Sequence, residues 1–406
     1  MPLLARTFSE FIHIPIVFYK TIGEDLYEHR SSNRVRRLLL KLLLHIGFVN
    51  FNLLVMGEII FFVKALRSSA TILEATGVAP CIGFSFVANF KQIAMTVHRV
   101  TLRQHFDQME EIFPKTVKQQ NAYKLPQRER VMRRVMAVFT LLCLAYTSTF
   151  SIYPALKASV QYWLLDAPVF ERGFGFAIWY PYKTTEKNWV YWLTYLGQVH
   201  GAYLAGVAFL SADLVLVASV TQLCMHFDFI SRCLEEFGGA SQSDVQKDLE
   251  YLKALIVKHA KCLKLSEHVN SIFSFSLLLN FLTASLTICF IGFQVTASSK
   301  EDIVKYIIFL TASLVQVFVV CYYGDELMTA SMRVGDAAYN QNWFDCDKRY
   351  KRLLTILIMR SQKPASIRAP FMPPISFRAY MKVISMSYQF FALLRTSMER
   401  KGTKFT

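Results

Sequence analysis

The sequence predicts an all-α membrane protein with seven transmembrane helices, and two observations lead to that prediction. Hydrophobic residues make up 53% of the 406 residues and aromatic residues 14%, which is more apolar than expected for a soluble chain of this length. The apolar residues are also collected into segments that reach the roughly 18 residues needed to cross about 30 Å of hydrocarbon. The seven predicted spans are Leu42–Val63, Ile72–Val97, Val135–Leu156, Trp189–Val217, Ile272–Ala297, Ile303–Tyr323 and Phe377–Leu394.

The distribution of Lys and Arg predicts the orientation of these spans. Basic residues precede the first span and fill the second and fourth loops, whereas the first, third and fifth loops are poor in them. The positive-inside rule therefore predicts a cytoplasmic N-terminus and an extracellular C-terminus, the inverse of a G-protein-coupled receptor. The formal charge of +16 is expected to meet anionic lipid headgroups rather than nucleic acid.

Two segments predict helices outside the hydrocarbon. Helical periodicity continues through the loop 222–270, which predicts that spans four and five project into the cytoplasm as a stalk, with Gly238–Ser243 as the turn. The apolar run Leu353–Met359 is too short to span and predicts a cytoplasmic amphipathic helix. We expect this helix to bury Leu354, Ile358 or their neighbours in an interface with another subunit.

The last predicted span differs from the others because it carries a polar stripe. Lys382, Ser385, Gln389 and Thr396 recur at spacings that place them on one helical face, which lipid does not tolerate. One interpretation is the lining of an aqueous pore; the other is a helix buried in the bundle, with its polar groups satisfied by neighbours. On the first interpretation, the predicted pore residues are Ser385, Gln389, Leu393 and Thr396, with Leu393 closing the pore by dewetting.

About 80 residues at the C-terminus carry a set of motifs that resembles a known family. The segments Cys321–Leu327 (CYYGDEL), Ala337–Asp345 (AAYNQNWFD), Leu353–Ala369, Pro373–Phe377 and Ser387–Ser397 (SYQFFALLRTS) resemble the C-terminal signature of insect odorant receptors. Trp179–Lys183 (WYPYK) also resembles that family. The sequence around Ser387 departs from the ending of the related gustatory receptors, which are kept as an alternative. The loop 222–270 lacks the long insertion of the odorant co-receptor.

The resemblance implies a ligand-specific subunit of a heterotetrameric, ligand-gated, non-selective cation channel. Its partners would be the odorant co-receptor, a small volatile odorant and membrane lipid, and its location the plasma membrane of olfactory sensory neuron dendrites. The implied organisation is a cytoplasmic segment 1–41, spans one to six over 42–323 with the odorant pocket in their outer half, a cytoplasmic anchor helix and linker 324–375, a pore-lining helix 376–395 and an extracellular tail 396–406.

An odorant pocket needs an enclosed apolar cavity with a few polar groups. The resemblance implies a location between spans two, three, four and six, and the aromatic stripe Tyr146, Phe150 and Tyr153 shares one helical face, although such a stripe also fits ordinary core packing. The predicted ligand-binding residues are Phe84, Ser85, Ala88, Tyr146, Thr149, Phe150, Tyr153, Tyr195, Gln198, Val199 and Ala202.

The remaining polar residues predict no catalysis. The nine histidines are scattered and the eight cysteines show no metal-ligand spacing, so no cofactor or metal is predicted, and a membrane-embedded acyltransferase-like enzyme remains only as a contrasting alternative. Intramembrane charges are often functional, and Glu58 and Glu74 are such charges. Lys91 and Asp213 are expected to snorkel separately to the interface, with an ion pair between them as the less favoured alternative.

Overall fold

The computed structural model describes residues 5–21, 34–67, 72–164, 172–237, 245–297 and 303–400. Within these ranges the chain forms twelve helices and one isolated bridge between Arg368 and Pro374. The helices are α1 Phe8–Phe11, α2 His13–Thr21, α3 Arg34–Arg67, α4 Ile72–Val97, α5 Arg99–Ile112, α6 Val117–Ala122, α7 Leu125–Leu164, α8 Asn188–Glu235, α9 Val245–Ala297, α10 Ile303–Asn340, α11 Lys348–Ser361 and α12 Phe377–Arg400.

Six of these helices, α3, α4, α7, α8, α9 and α10, are long and apolar enough to cross a membrane. Helix α12 has 24 residues, or about 36 Å at 1.5 Å per residue, so it is also long enough, but its polar stripe makes it less apolar. These helices confirm the predicted all-α membrane fold. The limits of α4 are those predicted, whereas the other spans are longer than their apolar cores.

Helices α8, α9 and α10 extend far beyond the roughly 20 residues that a span requires, with 48, 53 and 38 residues. Their extensions gather with α5, α6 and α11 at one end of the bundle, here called the stalk end. The opposite end, which carries residues 172–187, is called the loop end. The turn predicted at Gly238–Ser243 lies outside the described residues, and the short helices α1, α2, α5 and α6 were not predicted.

Helix α8 is the central element of the bundle. Every residue from Leu204 to Phe227 is buried, and α8 packs against α2, α3, α4, α7, α9 and α10. A helix that is apolar on all sides is stable only when it is surrounded, which explains why this segment shows no amphipathic pattern in the sequence.

Ion pairs bind the helices together at the stalk end. The Arg128 guanidinium of α7 contacts the Asp228 carboxylate of α8, and its Nη1 lies 2.8 Å from Glu326 Oε1 of α10. Arg333 of α10 lies 2.9 Å from the other Asp228 oxygen. One carboxylate therefore joins α7, α8 and α10.

Helix α11 is longer than the predicted run Leu353–Met359, and it packs on α9 and α10 of its own chain. Leu354 is buried within its own chain, with 2% of the residue exposed, and Ile358 is half-buried. Leu354 was therefore wrong as an interface residue, whereas an interface through its neighbours stays a prediction. Helical periodicity instead leaves Ile356 and Met359 exposed, at 53% and 63%.

The segment 362–376, which connects α11 to α12, packs closely on α10. A Cβ added at Gly324 would lie 2.5 Å from the Ile375 carbonyl oxygen, so only glycine allows the segment to approach this closely. Helix α12 then packs on α9 and α10 through Ala379, Val383 and Ser387, which are buried. The opposite face of α12 carries the predicted pore residues Ser385, Gln389, Leu393 and Thr396, all exposed.

Candidate ligand-binding cavity

A cavity lies at the loop end, between α3, α4, α7 and α8. It holds about 420 Å³ of space free of protein atoms, including the part open to solvent. Helix α3 contributes Phe51, Leu54, Val55 and Glu58; α4 contributes Cys81, Phe84 and Ser85; α7 contributes Tyr146 and Thr147; α8 contributes Gln198, Gly201, Ala202 and Ala205; and the loop above contributes Phe176 and Ile178.

Aromatic rings form one wall of this cavity. Tyr146 stacks on Phe309 of α10 with ring centroids 4.0 Å apart, and its ring meets the edge of Phe84 at 5.3 Å. Phe150, one turn along α7, lies 5.1 Å from Tyr146. The pairs favour offset and edge-to-face geometries, which add to the stabilisation from burial. Helix α10 therefore contacts the cavity wall through Phe309.

Residues 172–187, here called the lid, cover the cavity. Gln198 of α8 holds the lid: its Nε2 donates to the Tyr180 hydroxyl at 3.1 Å, and its Oε1 accepts from the Phe176 N–H at 3.4 Å. The Trp179 N–H donates to the Gly57 carbonyl of α3 at 3.1 Å. A Cβ at Gly175 would lie 1.9 Å from the Phe150 carbonyl oxygen, so the lid also packs closely on α7.

A carboxyl group is buried at the edge of the cavity. Glu58 is 5% exposed, its Oε2 has no hydrogen-bond partner, and the Ser85 side chain lies within hydrogen-bonding reach of the carboxyl. A second, more open space, here called the vestibule, adjoins the cavity. The vestibule shares Glu58, Cys81, Phe176 and Ile178 with it and adds Glu74, Lys305 and Tyr306.

A polar layer lies below the cavity, deeper in the bundle. Phe84 packs on Phe209 with centroids 4.6 Å apart, and Lys91 Nζ lies 3.7 Å from the Phe209 ring centre. Lys91 pairs with Asp213 at 2.8 Å, and both side chains are almost fully buried. The expectation that Lys91 and Asp213 snorkel separately was therefore wrong, because the central position of α8 leaves Asp213 no route to the interface.

The structure brings together part of the predicted ligand-binding set. Phe84, Ser85, Tyr146, Gln198 and Ala202 line the cavity, and Phe150 lines the vestibule. The other predicted residues lie outside the cavity lining. Ala88 is in the core, and Tyr153 and Val199 are half-buried. Two hydroxyls are engaged by backbone carbonyls of α7: Thr149 donates to Ala145 at 2.7 Å, and Tyr195 donates to Ser151. Ligand contact by any of these residues stays a prediction.

The α3 wall and the lid were missing from the predicted pocket. Apolar residues occur on every side of the first span, so apolar character alone does not show that Phe51, Leu54 and Val55 face a cavity. Two features of the sequence pointed to these missing parts of the pocket. Glu58 is a charged residue inside the first span, and the WYPYK motif, Trp179–Lys183, lies in the lid. Among the described residues, no group of three His, Cys, Asp or Glu side chains is close enough to hold a metal ion.

A multi-pass bundle with an apolar cavity covered by residues 172–187 is the architecture of a helical membrane protein that can enclose a small apolar molecule. The chain belongs to the family described as 7tm Odorant receptor, whose sequence model matches residues 71–388. It is 58% identical to Odorant receptor 67c of Drosophila melanogaster over 97% of each chain, and 54% identical to Putative odorant receptor 92a of the same species over 96% of each. These relatives are receptors, not enzymes.

Solved structures agree with this assignment at the level of the fold. The insect olfactory receptor OR5 from Machilis hrabei aligns over 95% of this chain and 97% of its own, with a TM-score of 0.75 and 14% identity. The structure of that receptor in complex with eugenol aligns over 96% and 98%, with a TM-score of 0.78 and 13% identity. The likeness places the chain among multi-pass membrane proteins of the same architecture.

Proposed function

We propose that the chain is the odorant-specific subunit of a ligand-gated, non-selective cation channel that assembles with the odorant co-receptor as a heterotetramer. It acts in the plasma membrane of olfactory sensory neurons, where a small volatile molecule in the cavity opens the pore. The observation that carries this proposal is α12, a helix of spanning length with one face packed on the chain and a polar face left exposed.

The exposed face of α12 needs a polar neighbour. Lys382, Ser385, Gln389 and Thr396 all lie on it, and within the described ranges α12 packs only through the side that holds Val383 and Ser387. Polar side chains in a membrane are stable when they face protein or water. Four subunits that turn this face inward satisfy it by surrounding an aqueous pore, and Leu393, at 69% exposure, supplies the apolar constriction.

Helix α10 supports coupling between the cavity and the pore. It contacts the cavity wall at Phe309 and the vestibule at Tyr306, and further along it receives the segment before α12 at Gly324. A ligand that displaces Tyr146 or Phe309 therefore acts on the helix that supports α12. Coupling of this kind needs a rigid element with two arrangements, and α10 is a continuous helix between these contacts.

The stalk end supports assembly. Apolar side chains are exposed there on α10, α11 and the loop between them, which is costly unless a partner covers them. They are Tyr339, Phe344, Ile356 and Met359, with exposures of 65%, 67%, 53% and 63%. The proposal places this end in the cytoplasm, in agreement with the basic residues of the second and fourth loops.

The test is electrical recording from cells that express the chain with the co-receptor, using a panel of volatile alcohols, ketones, esters and hydrocarbons. A ligand-evoked cation current is expected. Leu393→Ser should raise the current without ligand because it wets the constriction. Ile384→Ser is the matched control, since Ile384 lies on the packed side of α12 and is half-buried.

Two outcomes contradict the proposal. One is the absence of any evoked current while surface labelling shows both subunits at the membrane. The other is an unchanged basal current and ion selectivity in Leu393→Ser at normal surface expression, which removes this face of α12 from the pore.

A further inference from the structure

Glu58 has the most unusual environment of the acidic residues near the cavity. It lies in the last third of α3, nine residues before the end of the helix, is 5% exposed and lines both the cavity and the vestibule. Its Oε2 is buried without a hydrogen-bond partner, and Glu58 makes no ion pair with the described residues. A buried polar atom without a partner costs about 1–3 kcal/mol, so a carboxyl group in this position is unfavourable for the empty protein.

A ligand in the cavity removes that cost if it brings a hydrogen-bond donor to Oε2. We propose that Glu58 binds the hydroxyl group of the ligand, and that the ligands of this cavity are small volatile alcohols. This inference rests on the proposed function, since it names the class of odorant that the cavity admits. Ser85 of α4 lines the same cavity as Glu58.

A hydroxyl matches Glu58 in either of its protonation states. A carboxylate accepts a hydrogen bond from the alcohol O–H, and a neutral carboxyl both donates to the alcohol oxygen and accepts from it. An ether or ester oxygen accepts only: it makes no hydrogen bond with a carboxylate and a single one with a neutral carboxyl, where an alcohol makes two. A hydrocarbon leaves Oε2 as it is and adds only apolar contacts.

An amine is the main competing ligand, because an ammonium group could pair with Glu58. Taking an ammonium ion and a carboxylate out of water together costs more than their attraction recovers unless further hydrogen bonds satisfy both groups. The polar side chains nearby are already engaged: Gln198 bonds to the lid, and the Thr147 hydroxyl donates to the Cys143 carbonyl at 3.0 Å. The rest of the wall is aromatic and aliphatic, which suits the alkyl chain of an alcohol.

The experiment compares four probes with the same number of heavy atoms: 1-hexanol, methyl pentyl ether, n-heptane and n-hexylamine. Currents are recorded from the full chain with the co-receptor. Binding is measured separately, as the ligand-induced shift in thermal unfolding of the purified chain in detergent. The variants are Glu58→Leu, which removes the acceptor, Glu58→Gln, which keeps an oxygen acceptor at similar volume, and Glu235→Leu, an exposed control at the far end of α8.

The wild type is expected to prefer 1-hexanol over the ether by tenfold or more, both in the concentration for half-maximal current and in binding. Glu58→Leu should abolish that preference, Glu58→Gln should keep part of it, and Glu235→Leu should keep all of it. Equal responses to the alcohol and the ether in the wild type, or a preference for n-hexylamine, would overturn the inference. So would an alcohol preference that survives in Glu58→Leu.

The two measurements separate this inference from the proposed function. A thermal shift that favours 1-hexanol and depends on Glu58, without any evoked current, supports the inference and rejects the channel. Evoked currents with no dependence on Glu58 reject the inference and leave the channel in place.

Discussion

Lys91 of α4 and Asp213 of α8 form an ion pair inside the bundle, with Nζ 2.8 Å from Oδ2 and side-chain exposures of 1% and 3%. The same Asp213 oxygen accepts a second hydrogen bond, from Gln316 Nε2 of α10 at 2.8 Å. Gln316 in turn reaches Asn280 of α9 at 3.3 Å. Four helices therefore meet at one polar contact within an apolar core.

Removing one member of this pair should be more harmful than removing both. Asp213→Leu leaves the Lys91 ammonium buried and unpaired, so we expect it to lower the free energy of unfolding by about 3–5 kcal/mol. The double variant Lys91→Met/Asp213→Leu should recover most of that loss. Unfolding of the purified chain in detergent measures both effects, with Lys183→Met, in the exposed Lys183–Glu186 pair, as the control. A double variant no more stable than Asp213→Leu would contradict this account.

The lid offers a matched pair of glycines. A Cβ at Gly175 would lie 1.9 Å from the Phe150 carbonyl oxygen, whereas a Cβ at Gly173 would lie 3.9 Å from the Pro154 side chain, an ordinary contact. We expect Gly175→Ala to displace the lid, raise amide hydrogen exchange over residues 174–183 and weaken ligand responses at least tenfold. Gly173→Ala should leave both unchanged. Equal behaviour of the two variants would show that the lid does not pack on α7 as described.

Assembly should depend on the exposed face of α11. Ile356→Asp places a charge at a 53% exposed apolar position and should reduce co-purification with the co-receptor several-fold while the chain stays folded. Thr355→Asp adds the same charge at the neighbouring exposed position and should have a smaller effect. Leu354→Asp should instead unfold the chain, because Leu354 is buried within it. Unchanged co-purification of Ile356→Asp would remove α11 from the interface.

Stability should fall in mild acid because of a buried histidine at the stalk end. His226 lies beyond the predicted fourth span, is fully buried, and neither ring nitrogen has a partner among the described residues. Burial, with smaller contributions from Lys258 and Lys261, lowers the pKa of His226 from its usual 6.5 to about 3.

Stability falls as the pH falls because the unfolded chain protonates His226 at a higher pH than the folded chain does. The unfolded chain takes up a proton as the pH falls below about 6.5, whereas the folded chain does so only near pH 3, so stability is complete above pH 6.5 and falls between these values. The slope is up to about 1.4 kcal/mol per pH unit for one group. His226→Phe should reduce this slope in unfolding experiments between pH 7 and 4.5, and Met225→Leu should not. An unchanged slope in His226→Phe would contradict the assignment.

The sequence predicted the spans well because each span is a local property. Helix α4 has its predicted limits, and the periodicity in the loop 222–270, which includes Leu252 and Leu255, correctly indicated that helix continues before the predicted fifth span. The lengths of α7 and α10 were underestimated since the polar residues at their ends still form helix when neighbouring helices pack on them.

The cavity was harder to predict because it depends on which faces meet. Tyr146 and Phe84 were identified by aromatic character, and the structure places both at the cavity. Phe51 and Leu54 belong to a helix with apolar residues on every side, so apolar character does not distinguish its lipid side from its cavity side. The Lys91–Asp213 pair was misjudged for the same reason: the sequence gives the depth of each charge but not whether the two helices are neighbours.

The packing of Gly324 against Ile375 restricts how α12 can move. Cys321 and Leu327 lie three residues before and after Gly324, so they share its face of α10 at about 4.5 Å along the helix axis. A shift of the connecting segment by that distance along α10 would bring one of these larger, buried side chains toward the Ile375 carbonyl. Sliding of the connecting segment along α10 is therefore blocked in both directions, whereas rotation of the segment about Gly324 brings no new side chain against the Ile375 carbonyl. If α12 gates a pore, it does so by tilting or rotating at residue 375, and a piston-like displacement is incompatible with this contact.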